Sequence, residues 1–264
     1  MVTSEEIIDR ICFLARADSR VRILESLSES EPITERALRR QLSVSRSTIS
    51  RGLDSLAEMG WVTEGPDGLE LTPTGSLVIE AFLDLAETMS TADDLAPFLQ
   101  WFPLTEVDLA VEDLRDSEVA VATDGDPLAP ARTQTGLVGT TPRFHGLFPS
   151  VELRGTELVH DRMSSGEFEA EMIVSTAVED TIRSEQFASL YSEMLSTGRL
   201  TVHVVDSLPF YLGLGADREV QIGVEDDDGL PRALLETDTE SVHEWATELF
   251  VDYRESSTTQ LTEL

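Results

Sequence analysis

The sequence predicts a chain of two fold types, α+β followed by α/β. A small helical domain closed by a hairpin comes first, then a long linker helix, then a C-terminal domain of alternating strands and helices. Three observations predict this. Residues 4–59 hold four short segments whose apolar residues recur at helical spacing, separated by capping residues and turns. Residues 61–72 are two short alternating segments around Gly65-Pro66-Asp67-Gly68, the pattern of a β-hairpin. From about residue 118, short β-rich runs alternate with helical patterns, which is how helices come to cover a sheet. The domains are placed at 1–75, 76–104 and 105–264.

The elements follow in order. Residues 4–16 read as an amphipathic helix capped by Ser4, with Ile7, Ile8, Ile11 and Leu14 on one face. Ser19 caps a second helix with Val21, Ile23, Leu24 and Leu27 apolar. Glu31-Pro32-Ile33-Thr34 breaks the chain, and Thr34 caps a third helix over 35–42, with Ala37 and Leu38 inward. After the turn Ser43-Val44-Ser45, Ser45 caps a fourth helix from 46 to about 59. That helix buries Ile49, Leu53 and Leu56 and stops at Gly60. Beyond the hairpin, a helix runs from 73 or 74 to about 99. Its residues Val78, Phe82, Leu85 and Met89 recur at +4, +3 and +4, a heptad-like seam fit for a homodimer or for packing on its own domain.

In the last domain, strands are expected at 118–123, 168–175, 200–206, 211–214, 219–225 and 232–236. Helices are expected at 178–196 and from Thr239 to about 254. Asp126-Pro127-Leu128-Ala129-Pro130 reads as a rigid loop, Asp226-Asp227-Asp228-Gly229 as a solvated turn, and 255–264 as a frayed polar tail.

Composition narrows the class. There is no lysine: all 19 basic residues are Arg, against 51 Asp and Glu, for a net charge of −32. Such a surface repels itself in dilute salt, but at molar ionic strength the Debye length falls to about 3 Å. Losing lysine while keeping arginine resembles the proteome of salt-in haloarchaea. Apolar residues make up 41% of the chain and are periodic, which excludes a disordered polyanion. The one cysteine, Cys12, forms no internal disulfide and sits in an apolar run, so buried core in a reducing cytoplasm is expected. The first residues carry no basic n-region, and no run of 18 apolar residues exists, so no leader and no membrane partner are expected.

Charge is uneven. Residues 33–52 hold five Arg and one acid, Glu35, inside a chain that is otherwise a polyanion. A basic window of this kind calls for an anionic partner. Helix, short turn, helix and hairpin make the winged helix-turn-helix pattern, whose second helix enters the major groove of DNA by its N-terminal residues. Those residues are Ser45, Arg46, Ser47, Thr48, Ser50 and Arg51: hydroxyls that permit close approach, and guanidiniums able to pair bidentately with guanine. Arg36, Arg39 and Arg40 fall where backbone phosphates are contacted. The hairpin tip carries Asp67 and no Arg, so the wing is expected to add little.

Residues 19–75 resemble the winged helix of archaeal regulators. The downstream half resembles an effector domain named after a regulator of filament formation in methanogens, a type with many haloarchaeal relatives. The segments that carry this are Asp126-Pro127-Leu128-Ala129-Pro130, Phe144-His145-Gly146-Leu147-Phe148-Pro149, Leu208-Pro209-Phe210-Tyr211-Leu212-Gly213, and Glu236-Thr237-Asp238-Thr239 with Trp245-Ala246-Thr247-Glu248-Leu249. The resemblance implies a transcription regulator with an unassigned signal.

Several chemistries are excluded. Without lysine there is no Walker, Schiff-base or kinase lysine. Sugar-responsive archaeal regulators have effector domains resembling the phospholipase D fold, whose active members need a His-x-Lys motif that this chain lacks. His145, His160, His203 and His243 are far apart, with no His or Cys at metal spacing, so no metal and no cofactor are expected. The expected function is therefore a cytoplasmic regulator that binds operator DNA as a homodimer and whose C-terminal domain senses a small molecule or mediates association. The alternatives are a DNA-bound adaptor for a protein partner, or a hydrolase in the C-terminal domain. An effector cleft is expected where Arg143 holds an anionic group, His145 and Tyr211 donate hydrogen bonds, and Ser175 and Asp206 form the polar floor.

Overall fold

The computed structural model describes residues 3–30, 32–226 and 228–263. Readings that fall on Met1, Val2, Glu31, Asp227 and Leu264 lie outside the described residues. The chain is mixed helix and sheet. It divides into two compact units, Met1–Met89 and Ser90–Leu264.

The first unit is helical with a hairpin. It comprises α1 (Ser4–Ala15), α2 (Asp18–Glu29), α3 (Glu35–Leu42), α4 (Arg46–Glu58), β1 (Val62–Gly65), β2 (Gly68–Leu71) and the start of α5 (Pro73–Leu99). Caps set the boundaries. Thr34 accepts from the Ala37 N–H at 3.3 Å and Ser45 from the Thr48 N–H at 3.2 Å, as expected. Two other caps differ. Thr3, not Ser4, caps α1 in a reciprocal box with Glu6, and Ala17 precedes α2 with no side-chain cap where Ser19 was expected. The core gathers Ile23, Leu24, Leu27, Leu38, Ile49, Leu56 and Trp61. Gly52 lets α4 approach α2: a Cβ there would lie 2.7 Å from Ile23 Cδ1. Ile33 pairs with Leu69, which ties the hairpin to the segment before α3.

The apolar face of α1 is only partly used. Leu14 is buried, whereas Ile7, Ile8 and Ile11 are exposed. Along α5, Val78 and Phe82 pack on the first unit's core together with Ile79, while Leu85 and Met89 stand 48% and 62% exposed. The expected seam is thus split, two residues serving the core and two facing outward. Later in the same helix, Leu95 and Phe98 belong to the core of the second unit. The expected linker at 76–104 is in this way mostly taken up by α5, which ends at Leu99 and is divided between two cores.

The second unit is an eight-stranded sheet in the order β10-β6-β5-β4-β7-β8-β9-β3. The strands are β3 (Glu118–Val121), β4 (Arg143–Phe148), β5 (Glu169–Ser175), β6 (Leu200–Val205), β7 (Tyr211–Leu214), β8 (Val220–Glu225), β9 (Pro231–Thr237) and β10 (Thr259–Leu261). Strands β4, β5 and β6 are parallel, and the other neighbours are antiparallel. Both faces are covered. One carries α10 (Glu240–Ser256) over Leu147, Ile173, Leu212 and Ile222. The other carries α6 (Ala129–Thr140), α7 (Leu153–Ser165), α8 (Thr176–Ile182) and α9 (Glu185–Ser196).

Several of these elements differ from expectation. The sequence reading assigns nothing over 131–167, where α6, β4 and α7 form. Glycines explain part of this: Gly136 and Gly139 lie within α6 and Gly146 within β4, each weakening the local propensity. The α7 N-cap is Glu152, outside the usual set of capping residues. Residues 178–196 are two helices, parted at Arg183 and Ser184. The tail is not wholly frayed, since Thr259–Leu261 pairs with β6 and Leu261 is buried.

Candidate nucleic-acid interface and effector cavity

In the first unit, α4 buries Ile49, Gly52, Leu53 and Leu56, so its other side faces solvent. On that side Arg46, Ser47, Thr48 and Arg51 are exposed and Ser50 is half-buried. The Ser45 hydroxyl lies 3.0 Å from that of Ser47 and 2.8 Å from that of Thr48. Three hydroxyls and the free N–H groups of a helix start therefore sit together, with no acid in the first turn. That arrangement attracts anions through the helix dipole and its unpaired donors. On α3, Arg36 and Arg40 are exposed and Arg39 half-buried. Ser43, at φ 54°, turns the chain between the two helices. Arg22 donates to the Leu42 carbonyl at 3.3 Å and so holds the end of α3, a role the sequence pattern did not signal. Asp67 is exposed at the hairpin tip.

In the second unit the expected cleft is not assembled. Arg143, His145 and Leu147 alternate onto one face of the sheet, and Phe144 and Phe148 onto the other. His145 stacks on Phe250 of α10, ring centroids 5.2 Å apart, and burial lowers its pKa. Tyr211 is buried on the opposite face, 5.4 Å from the Phe148 ring, and its hydroxyl donates to Gln221 Oε1 at 3.2 Å. Burial pushes the Tyr211 pKa far up, so it stays a neutral phenol. Arg143 is exposed at the start of β4. Ser175 caps α8 by accepting from the Val178 N–H at 3.3 Å, and exposed Asp206 accepts from the Thr176 hydroxyl through its main-chain oxygen at 3.3 Å. Four of these five residues have a local task while the Arg143 side chain stands exposed, and the sheet separates His145 from Tyr211, the two that were to donate to one ligand.

The structure instead holds a cavity of about 230 Å³ beneath α6 and α7. Its walls include Phe144, Phe148, Phe168, Met172, Tyr191 and Met194. Its mouth lies at the ends of β4 and β8, where Ser150, Glu152 and Glu225 line it. This is the carboxyl end of the parallel strands, the usual place for ligands in open α/β sheets. The Ser150 hydroxyl donates to Glu225, and burial raises the Glu225 pKa against that hydrogen bond, with Asp226 adding to the rise. Glu152 accepts from the Arg154 and Gly155 N–H groups as the α7 cap. Deep in the cavity the Tyr191 phenol, its pKa pushed up to about 12 by burial, is hydrogen-bonded to Thr156. Sequence reasoning missed this site because much of its lining, from Ala131 to Val159, comes from the stretch left unassigned.

His160, His203 and the Asp turn are occupied locally. His160 lies 2.9 Å from Glu193 and His203 2.9 Å from Glu171. Asp226 accepts from the N–H groups of Asp228 and Leu230 and is paired with Arg232, which fixes the turn into β9. No helix is long and apolar enough to cross a membrane, among the described residues.

Comparison with known proteins gives two family matches. Residues 8–94 match the family described as HVO_A0261 N-terminal domain, and residues 127–256 the family described as Methanogenesis regulatory protein FilR1, middle domain. No curated protein matches. Among solved structures, TrmBL2, described as an archaeal chromatin protein with a novel mode of DNA binding, is 15% identical with a TM-score of 0.43, covering 94% of this chain and 98% of that one. NucT from Helicobacter pylori is 12% identical with a TM-score of 0.43, covering 54% of this chain and 97% of its own. Nuc from Salmonella typhimurium, a phospholipase D family member, is 9% identical with a TM-score of 0.42, covering 55% and 97%. Likenesses of this size carry no activity across.

Proposed function

The chain joins an HVO_A0261 N-terminal domain to a FilR1 middle domain and belongs with the archaeal DNA-binding transcription regulators of that build; from that premise we propose that it reads operator DNA through α4 as a homodimer, under control of a small molecule held in the cavity of the second unit. One observation carries the DNA reading. The exposed start of α4 presents Arg46, Ser47, Thr48 and Arg51 in a basic window, 33–52, of a chain of net charge −32. Among the described residues no ion pair engages Arg36, Arg39, Arg40, Arg46 or Arg51, so these side chains are available to an outside anion.

The dimer reading rests on where exposed apolar bulk lies. Among the described residues, and apart from Leu128 and Leu230, the large exposed apolar side chains are Ile7, Ile8 and Ile11 of α1 and Leu77, Leu85 and Met89 of α5. Two-fold pairing would match two recognition helices to two half-sites. The sensor reading, rather than the adaptor one, is supported by an apolar cavity with convergent polar groups and by the scarcity of exposed apolar bulk on the second unit. The lysine-free acidic surface fits a molar-salt cytoplasm. There, counterion release adds little to affinity, so contacts to base edges carry more of the binding.

Genome-wide mapping of bound sites, followed by footprinting in molar KCl, tests the proposal. A palindromic site with half-site centres separated by about 10 bp, one helical turn, or a multiple of it, is the expected result. Uniform occupancy without a shared sequence overturns it.

A further inference from the structure

The cavity's lining also points to the chemistry of its ligand, an inference that rests on the sensor reading above. We propose that it takes a small organic amine, an apolar body carrying one protonated nitrogen that meets the Glu225 carboxylate. Size comes first. A dry cavity of about 150 Å³ accommodates benzene, so by proportion 230 Å³ admits about nine non-hydrogen atoms. The body is set by the walls: Phe144, Phe148, Phe168, Met172 and Met194 offer aromatic and thioether surface. A polyhydroxylated ligand would lose its hydration there without compensating partners.

The head group is set by charge. Among the described residues two carboxylates line the cavity, Glu152 and Glu225, and no Arg or His does. Glu152 is already used as the helix cap. Glu225 is half-buried and receives the Ser150 hydroxyl, which leaves acceptor capacity on a desolvated carboxylate. Its neighbour Asp226 is already neutralised by Arg232. A bound acid would add a further negative charge to this mouth, whereas an ammonium supplies the missing one in a charge-assisted hydrogen bond. The raised pKa of Glu225 agrees, since it marks a carboxylate that burial disfavours and a cation would restore.

The test uses the full chain in molar KCl and three probes of nearly equal size: phenethylamine, phenethyl alcohol and phenylacetate, measured by calorimetry and by thermal unfolding. Phenethylamine should bind tightest and phenylacetate not at all. Glu225→Gln, which keeps the shape and the Ser150 hydrogen bond, should weaken phenethylamine by at least about tenfold and leave phenethyl alcohol unchanged. Val159→Trp, which fills the cavity from α7, should abolish binding of both. Phenylacetate binding as tightly as the amine, phenethylamine failing to bind at millimolar concentration, or an amine affinity indifferent to Glu225→Gln would each overturn the proposal. If one of those results removes the amine, binding of the alcohol or the acid that Val159→Trp abolishes would still leave the sensor reading standing. Failure of all three probes, with Val159→Trp regulating a reporter like wild type, would remove the sensor reading as well.

Discussion

In the second unit, Arg132 pairs with Asp126, Arg183 with Glu179, Arg218 with Glu240, Arg232 with Asp226 and Arg254 with Glu171. Arg162 and Arg199 reach main-chain carbonyls instead. On α3 and α4 of the first unit, the same residue type stands outside any ion pair with a described residue. Yet the second unit has far the greater excess of acid, ten Arg against 35 Asp and Glu over 91–264, compared with nine against 16 over 1–90. Where arginine is scarce it is consumed in holding turns, helix ends and strand ends together. Where it clusters, over 33–52, it has a single local acid, Glu35, to answer. The difference teaches that net charge is a poor guide to a candidate binding face in an acidic chain, and that a cluster of unpaired guanidinium is what singles out the proposed one. Arg143, exposed and in no ion pair among the described residues, shows the limit of that rule: one free arginine without neighbours makes no site.

The sharpest way to break this contrast is Arg46→Ala with Arg51→Ala. Each base-reading contact is worth about 1–3 kcal/mol, so specific operator binding should vanish in a mobility-shift assay while circular dichroism stays unchanged. Removing two paired arginines, Arg132 and Arg218, should leave operator affinity as it was; a loss equal to that of the recognition-helix pair would erase the distinction between the units. A smaller effect is expected at the exposed apolar residues. Phe82→Glu tests folding rather than association, because Phe82 packs on the core. Leu85→Glu with Met89→Glu places charge on exposed positions and should weaken the dimer by about tenfold or more, read by light scattering across a dilution series. A wild-type chain that is monomeric at micromolar concentration removes the dimer.

The hairpin supplies a third comparison. Asp67→Arg should tighten non-specific DNA binding and steepen its log–log salt dependence by about one unit, because it adds one phosphate contact. If Asp67→Ala abolished binding, the wing would be a specific contact. The smallest effect concerns Glu225. Its folded pKa is raised above the unfolded value, chiefly by burial, so its favourable contribution is full below the unfolded pKa of about 4.3 and is lost as pH rises through the folded value. Glu225→Gln should therefore raise the unfolding midpoint at pH 7 and change it little at pH 4. An equal shift at both values would mean that something other than ionisation is responsible.

The first unit was legible because its punctuation is local. Thr34, Ser45 and Gly60 mark helix ends by their own side chain or by a positive φ, and each acts within three residues of its partner. The candidate DNA-reading residues were legible for the same reason, since a helix start fixes which side chains it presents. The second unit depends on pairings distant in sequence. Phe148 and Tyr211 meet across β4 and β7, 63 positions apart, and only their register reveals that Tyr211 shares a face with Phe148 rather than with Arg143. Helix α7 begins at a glutamate cap, and β10 has only Leu261 to bury. No periodicity within the chain announces either, and the cavity is built from just such pieces.

The two outermost strands of the large sheet are short, β3 with four residues and β10 with three. Strand β10 lies against β6, whose Leu200, Val202, Val204 and Val205 are buried. A long apolar strand with a free edge is a template for chain-to-chain addition, and a short polar strand laid along it is a common safeguard. Thr259 and Gln260 are therefore a guard against aggregation. Trimming the chain before Thr258 would leave the N–H and C=O groups of β6 open to another copy, in a protein whose charge repulsion weakens as salt rises.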